Sequence, residues 1–274
     1  MCENFVPETS VWVSSHYYDV PNETVEFCGS IAGATVLNLG CGEMLADFGL
    51  LCHNVKKVVG LDLDNRTSDH LELVAKKLQH HGILPAADYR ERLDYRYYDG
   101  HDLPFGDGEF DLLFSWSAFE HIHNVPRVLS EIRRVLRDDG RAFIQTYPWY
   151  HAFDGSHLTD YIREPYMQLS RSREWVRERL EEYVSAHPGS RDQILGYMLP
   201  QYLSLNGYSA DRFYGDVVEA GFRVTKARVI SYDLDLSDLP PPTRFSEAMI
   251  CGTKMLLQKR IVPACPAPPI EGGR

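Results

Sequence analysis

Between residues 34 and 147 the sequence repeats one rhythm: a short, almost wholly apolar run, a turn, then a helical pattern. Residues 34–39 (ATVLNL), 57–61 (KVVGL), 93–98, 110–116 and 141–147 read as strands. Helical apolar faces fall at 45–53, at 66–81 through Leu71, Val74, Ala75 and Leu78, and at 126–137 through Val128, Leu129, Ile132 and Leu136. Asn124 is the expected cap of the last helix, and Asp139–Gly140 its stop. Apolar strands separated by helices pair in parallel and are covered on both faces. Such sheets take ligands beyond the carboxyl ends of their strands. Functional residues are therefore expected just after positions 39, 61, 98, 116 and 147.

The rhythm breaks over 148–207, a stretch too long for a plain connection. It holds a helix at 172–187 and many aromatics, among them Trp149, Tyr150, Phe153, Tyr161, Tyr166, Tyr197 and Tyr202. It reads as a cap over the strand ends. Ser209 then opens a helix that Gly221 closes, and 222–232 and 248–258 supply two more strands. The expected division is an N-terminal arm or lid at 1–24, without clear helix or strand pattern; a cofactor-binding half at 25–148; a cap at 149–207; a closing helix and strands at 208–259; and a disordered tail at 260–274 carrying Pro263, Pro266, Pro268 and Pro269.

A chain of 274 residues with 44% apolar content supports one large α/β domain with an insertion. The formal charge of -11 argues against a nucleic-acid partner. Arg133–Arg134 and Arg171–Arg173 alternate with acids and read as solvated helix faces. The six cysteines, at 2, 28, 41, 52, 251 and 265, show no CxxC pair and read as buried free thiols. No charged-then-apolar leader opens the sequence and no apolar run approaches about 18 residues. A cytoplasmic chain off the membrane is expected.

The segment VLNLGCGEML, residues 36–45, places Gly40 and Gly42 between the first strand and its helix. Glycines there let a ligand approach the backbone and leave N–H groups free for it. No Gly-Lys-Ser/Thr follows, so this is not a nucleoside-triphosphate loop. The second strand ends Gly60-Leu61-Asp62, an acid about twenty residues on that suits a ribose diol, with Asp64 as a rival in reach. The third strand leads to DGHDLPFGDGEFDLLFSW. These motifs, in this order and spacing, resemble the class I S-adenosylmethionine-dependent methyltransferases, in the small-molecule branch typified by ubiquinone and menaquinone biosynthesis enzymes. The resemblance covers about residues 34–147 and, weakly, 208–258. It implies a Rossmann-like, seven-stranded, mostly parallel sheet with helices on both faces and an inserted cap after strand five.

It also implies S-adenosylmethionine as cofactor. Asn38, Gly40, Cys41 and Gly42 would line its methionine part, with Ser115 and Trp116 beneath. Asp62 and Leu63 would meet the ribose, and Gly100, His101, Asp102 and Leu103 the adenine. Asn38 stands where the family has an acid, and Met44 where a third glycine is common. Met44 and the Asp102-Leu103-Pro104-Phe105 stretch argue against a nicotinamide oxidoreductase. A cofactor-binding homologue without turnover is the rival from a different class.

Methyl transfer needs alignment and sometimes a base. His121, after strand four, is the first base candidate and His157 the second. Tyr17, Tyr18, Trp149, His151 and Arg163 are the substrate-binding candidates, Arg163 because a guanidinium forks around a carboxylate or phosphate. No metal is expected, since Glu120-x-x-His123 has no partner at matching spacing. The expected reaction methylates a small metabolite, most simply at a hydroxyl or carboxyl oxygen. N- and C-methylation are the alternatives, and a homodimer is the assembly considered.

Overall fold

The structure, a computed structural model, describes residues 10–67, 69–237 and 239–260. Residues 1–9 of the arm, and the tail beyond Arg260 with Cys265, lie outside the described residues, as does Cys2. Seven strands form one sheet: β1 Thr35–Leu39, β2 Lys57–Asp62, β3 Leu93–Tyr97, β4 Phe110–Trp116, β5 Leu136–Thr146, β6 Phe222–Ile230 and β7 Gly252–Lys259. Their order is β3-β2-β1-β4-β5-β7-β6. The first five are parallel, and β7 runs antiparallel to both β5 and β6. The order turns back at β1, which lies between β2 and β4, so successive crossovers leave in opposite directions and open a crevice there.

The helices in chain order are α1 Ser10–Ser14, α2 Val20–Cys28, α3 Leu45–Leu50, α4 His70–His80, α5 Tyr89–Arg92, α6 Val125–Val135, α7 Met167–Ser170, α8 Arg173–Ala186, α9 Leu199–Ser204, α10 Ala210–Glu219 and α11 Phe245–Met249. Side chains alternate across a strand, so each strand feeds two cores. Val36, Val58, Phe114 and Phe143 pack with Phe48 of α3 and Val74 and Leu78 of α4. Leu37, Leu113 and Ile144 pack on the other face with Val128, Leu129 and Ile132 of α6 and Phe213 of α10. The expected caps form: the Asn124 side chain accepts from Arg127 N, Ser209 from Arg212 N, and Gly221 takes a left-handed φ of 83°.

Three expectations change. The segment read as patternless is helical from Ser10: α1, a π-helical turn at Ser15–Asp19, then α2 with Pro21 in its first turn. Tyr17, Val20 and Phe27 are buried in the core it joins. The fifth strand starts at Leu136, and Asp139–Gly140 lies inside it. The pairing with β4 shifts register between Phe110 and Leu112, so the turn signal is taken up as an irregularity in the strand. The last strand starts at Gly252, because Phe245–Met249 forms α11.

Residues 158–205 build their own apolar cluster from Leu158, Ile162, Val176, Leu180, Leu199 and Tyr202. Asn206 fastens this layer to the loop after β4. Its N–H donates to Glu120 O at 2.9 Å, and its amide Nδ2 donates to Phe119 O and Ile122 O, each at 2.7 Å. Among the described residues, no helix is long and apolar enough to cross a membrane.

The arm meets α3 at Gly49, where a Cβ would lie 1.9 Å from Tyr17 O. Backbone cannot retreat as a flexible side chain can. Gly49→Ala is therefore expected to cost about 3 kcal/mol or more in urea unfolding, and to expose α1 and α2 to limited proteolysis.

Candidate functional site

The glycine turn caps β1, and β2 holds it. Gly40 N and Cys41 N both donate to Leu61 O, at 2.8 and 3.2 Å, and Gly42 N donates to Asp62 Oδ2 at 2.8 Å. These three N–H groups are therefore not free for a ligand, contrary to the expectation. The turn needs them itself, because Gly40, Gly42 and Met44 all take positive φ values, of 73°, 52° and 67°. What the turn offers a ligand is its Cα surface. A Cβ on Gly42 would meet no atom within 4 Å, whereas one on Gly40 would strike Ala118 Cβ at 2.4 Å. The cradle is open at Gly42 and closed at Gly40 by the loop after β4.

Asp62 stands at the end of β2 with Oδ2 on Gly42 N and Oδ1 on Leu63 N at 2.8 Å. Burial raises its pKa, and these two backbone donors oppose the rise. Each carboxylate oxygen has two lone pairs, so Oδ2 keeps one for a hydroxyl. Leu63 is 58% exposed, an unusual place for a leucine, and its Cδ2 comes within 3.3 Å of a Cβ position on Gly100. Leu63, the residue after Asp62, thus lies directly against Gly100. His101 and Asp102 are exposed at the rim. Asp102 is paired: its Oδ1 accepts from Arg127 Nε at 3.0 Å and Nη2 at 2.6 Å. Leu103 is buried with its N–H on Glu131 Oε2.

Other expected cofactor residues sit behind the turn. Asn38 is 2% exposed and donates from Nδ2 to Asp47 Oδ2 at 2.7 Å. Ser115 is buried with its hydroxyl on Leu39 O. Cys41 is buried, and its Sγ lies 2.9 Å from a Cβ position on Gly60. Asn38 and Ser115 are bonded within the strand ends behind the turn. Trp116 is half-buried on the arm side of the sheet, with Lys254 Nζ 5.1 Å from its ring centre. Burial holds the Cys41 thiol well above its usual pKa and pushes Cys28 up to about 12, so neither is a reactive thiolate. Cys28, Cys41 and Cys251 are buried free thiols as expected, but Cys52 is exposed.

Two substrate-binding candidates are corrected. Trp149 is 0% exposed, donates from Nε1 to Thr253 Oγ1 and packs on Phe213, so it is core. Tyr17 is buried with its hydroxyl 3.3 Å from Cys52 Sγ. Both are large aromatics, and large aromatics fill interiors as readily as pockets. Tyr18 is 48% exposed beside Tyr17, His151 is half-buried against Tyr150, and Arg163 is exposed on the cap, where Glu164 pairs with Arg171 instead.

The two base candidates, distant in sequence, come together. The ring centres of His121 and His157 are 5.6 Å apart. Burial lowers the pKa of each to about 4, and each also faces a second histidine, so both are neutral near pH 7. His121 Nδ1 lies 2.8 Å from Ser204 Oγ, and that hydroxyl donates to Gln201 O. The hydroxyl proton is thereby assigned, so Nδ1 carries the imidazole proton and Nε2 presents a lone pair. Glu120 is buried beside them, not His123. A groove of about 1020 Å³ lined by Arg133, Arg134, Asp216 and Lys259 opens at the other end of the sheet, near the starts of β4 and β5.

Sequence reasoning missed Asp47, Asn206 and Ser204. Asp47 is 0% exposed in the first turn of α3, and burial raises its carboxyl from 3.8 to about 7, against the bond from Asn38. The folded chain therefore keeps a proton through pH 4–7 that the unfolded chain has released, and stability falls as pH rises through that window. Asp47→Asn keeps the shape and removes the ionisation. It is expected to match the parent near pH 4 and to exceed it by roughly 2–4 kcal/mol at pH 8 in urea unfolding.

Comparison with known proteins agrees with this geometry. A family model described as a methyltransferase domain matches residues 37–144. A Mycolicibacterium smegmatis protein named "Probable S-adenosylmethionine-dependent methyltransferase" is 32% identical over 116 residues, 42% of this chain and 38% of that protein. The 27-O-demethylrifamycin SV methyltransferase of Amycolatopsis mediterranei is 26% identical over 110 residues, 40% of this chain and 37% of its own. The chain thus spans well under half the length of these relatives. A solved SAM-dependent methyltransferase of Thermotoga maritima superposes with a TM-score of 0.52 at 15% identity, covering 93% of this chain and 96% of that one, and shares the fold. Residues 37–144, which hold the glycine turn and the acid closing β2, thus match a methyltransferase-domain family, and the fold is one shared with a solved SAM-dependent methyltransferase.

Proposed function

We propose that this chain transfers the methyl group of S-adenosylmethionine to an oxygen of a small metabolite held under the cap, in the manner of the small-molecule branch that its motifs resemble. The observation that carries this reading is the bond from Gly42 N to Asp62 Oδ2 at 2.8 Å. It sets an open glycine surface and a carboxylate side by side at the strand ends, as a nucleoside with a cationic tail requires. The residues fit that group: the cradle is open at Gly42, Asp62 Oδ2 retains an acceptor site for a ribose hydroxyl, and the exposed Leu63 offers an apolar wall to a base. When bound, the cofactor supplies an electrophilic methyl on a sulfonium sulfur.

The chain's own part is alignment, exclusion of water and removal of one proton. His121 Nε2 accepts that proton from the substrate oxygen, and Ser204 fixes the tautomer that leaves this atom free. Asp102 reaches the adenine only by sharing its carboxylate with Arg127. The net charge of -11 suits a small substrate and not a nucleic-acid one.

Labelled-methyl transfer to a panel of hydroxy, carboxy and amino compounds tests this. Turnover of an oxygen acceptor is expected, with His121→Ala lowering kcat by about 10²–10⁴ and leaving the KM for the cofactor unchanged. The rate is expected to stay flat from pH 8 down to about 5, because the imidazole gains a proton only near pH 4. Turnover of amines alone would move the acceptor to nitrogen. Cofactor binding without turnover of any class would make the chain a non-catalytic homologue.

A further inference from the structure

We propose that Glu120, His121 and His157 form a binding site for one divalent transition-metal ion of the zinc class, at the junction of the β4 loop and the cap. One ligand atom from each of the three lies within 4.8 Å of the others. Ligand atoms around a four-coordinate ion at bond lengths of about 2.0–2.2 Å stand roughly 3.3–3.5 Å apart. Small side-chain rotations close that gap.

Several polar atoms of Glu120 and His157 here lack a partner. Both carboxylate oxygens of Glu120, 2% exposed, and Nε2 of His157 are buried with no hydrogen-bond partner among the described residues. Such atoms are costly to bury unless something positive serves them. His121 is already oriented for the task. With Nδ1–H donating to Ser204 Oγ, Nε2 is the nitrogen that keeps a lone pair for an ion, and ligating imidazoles are commonly held in this way. The backbone beneath is pinned by Asn206 on Glu120 O, Phe119 O and Ile122 O.

The donor set selects the ion. Two imidazoles and one carboxylate suit zinc, cobalt, iron(II) or manganese, whereas magnesium and calcium favour oxygen ligands alone. Three protein ligands leave at least one position for water or for an oxygen of a small molecule under the cap. The site goes beyond the function proposed above and does not depend on it. An imidazole that lends its lone pair to an ion has none left for a proton, so the two uses of His121 alternate.

Binding alone is the readout, so loss of methyl transfer would not bear on it. Protein dialysed against a chelator and then against chelator-free buffer is titrated calorimetrically with zinc, and separately with magnesium. One zinc per chain is expected, with a dissociation constant of about 1 μM or tighter, a raised melting temperature that chelator reverses, and no magnesium binding. Glu120→Gln and His157→Ala are each expected to weaken zinc at least tenfold, and Ser204→Ala to weaken it measurably while keeping the fold. Cobalt added to the unaltered chain should show visible ligand-field bands that zinc displaces, a result that needs no variant to fold. Absence of those bands, a magnesium preference, or parent-like zinc affinity in Glu120→Gln and His157→Ala would overturn the proposal.

Discussion

The site depends on how β2 restrains the turn after β1. Three residues within five hold left-handed backbone, and one of them is Met44, for which that conformation costs about 1–2 kcal/mol. The last two residues of β2 offset the strain. Leu61 O takes Gly40 N and Cys41 N, and the Asp62 carboxylate takes Gly42 N. Bonds to an ionised group contribute about 1.5–3 kcal/mol each, so the Asp62 bond matters most. Burial of Met44 against Gly60 adds packing from behind. One carboxylate therefore shapes the cradle, and under the proposed function it also meets what enters it.

The same economy explains the departures from the family pattern. With Asn38 in the strand, the buried acid comes from α3 instead, as Asp47, and the two side chains bond each other beneath the turn. Each keeps one buried oxygen without a partner among the described residues. Burial raises the Asp47 carboxyl to about 7, and the bond from Asn38 opposes that rise. Behind the cleft the chain is built for rigidity; in front of it, Leu63, His101 and Asp102 stay exposed.

Much of the frame could be read from residue order. Apolar runs located the inner parallel strands, since strands buried on both faces admit few polar residues, whereas the edge strand β3, LDYRY, is half polar. Spacing placed Asp62 at the end of the strand beside the glycine turn, because parallel neighbours bring strand ends level, but the bond that ties its carboxylate to Gly42 N was not foreseen. The N-terminal helices were illegible: Pro21 and the His16–Tyr18 cluster mask their periodicity, and their partner, the notch at Gly49, is a tertiary feature. Trp149 and Tyr17 misled because burial and ligand contact draw on the same aromatic residues. His121 was visible next to Glu120 in the sequence, but only the fold brings the distant His157 to them. Asp139–Gly140 shows a turn signal overruled by pairing on both sides of β5.

The central claim is that Asp62, tied to the glycine turn, holds the nucleoside of the cofactor. Calorimetric titration of the chain and of Asp62→Ala with S-adenosylhomocysteine tests it directly. The account predicts one site per chain on the parent and an affinity at least tenfold weaker on the variant. No heat and no change in melting temperature on the parent, or equal affinity for both proteins, would contradict it.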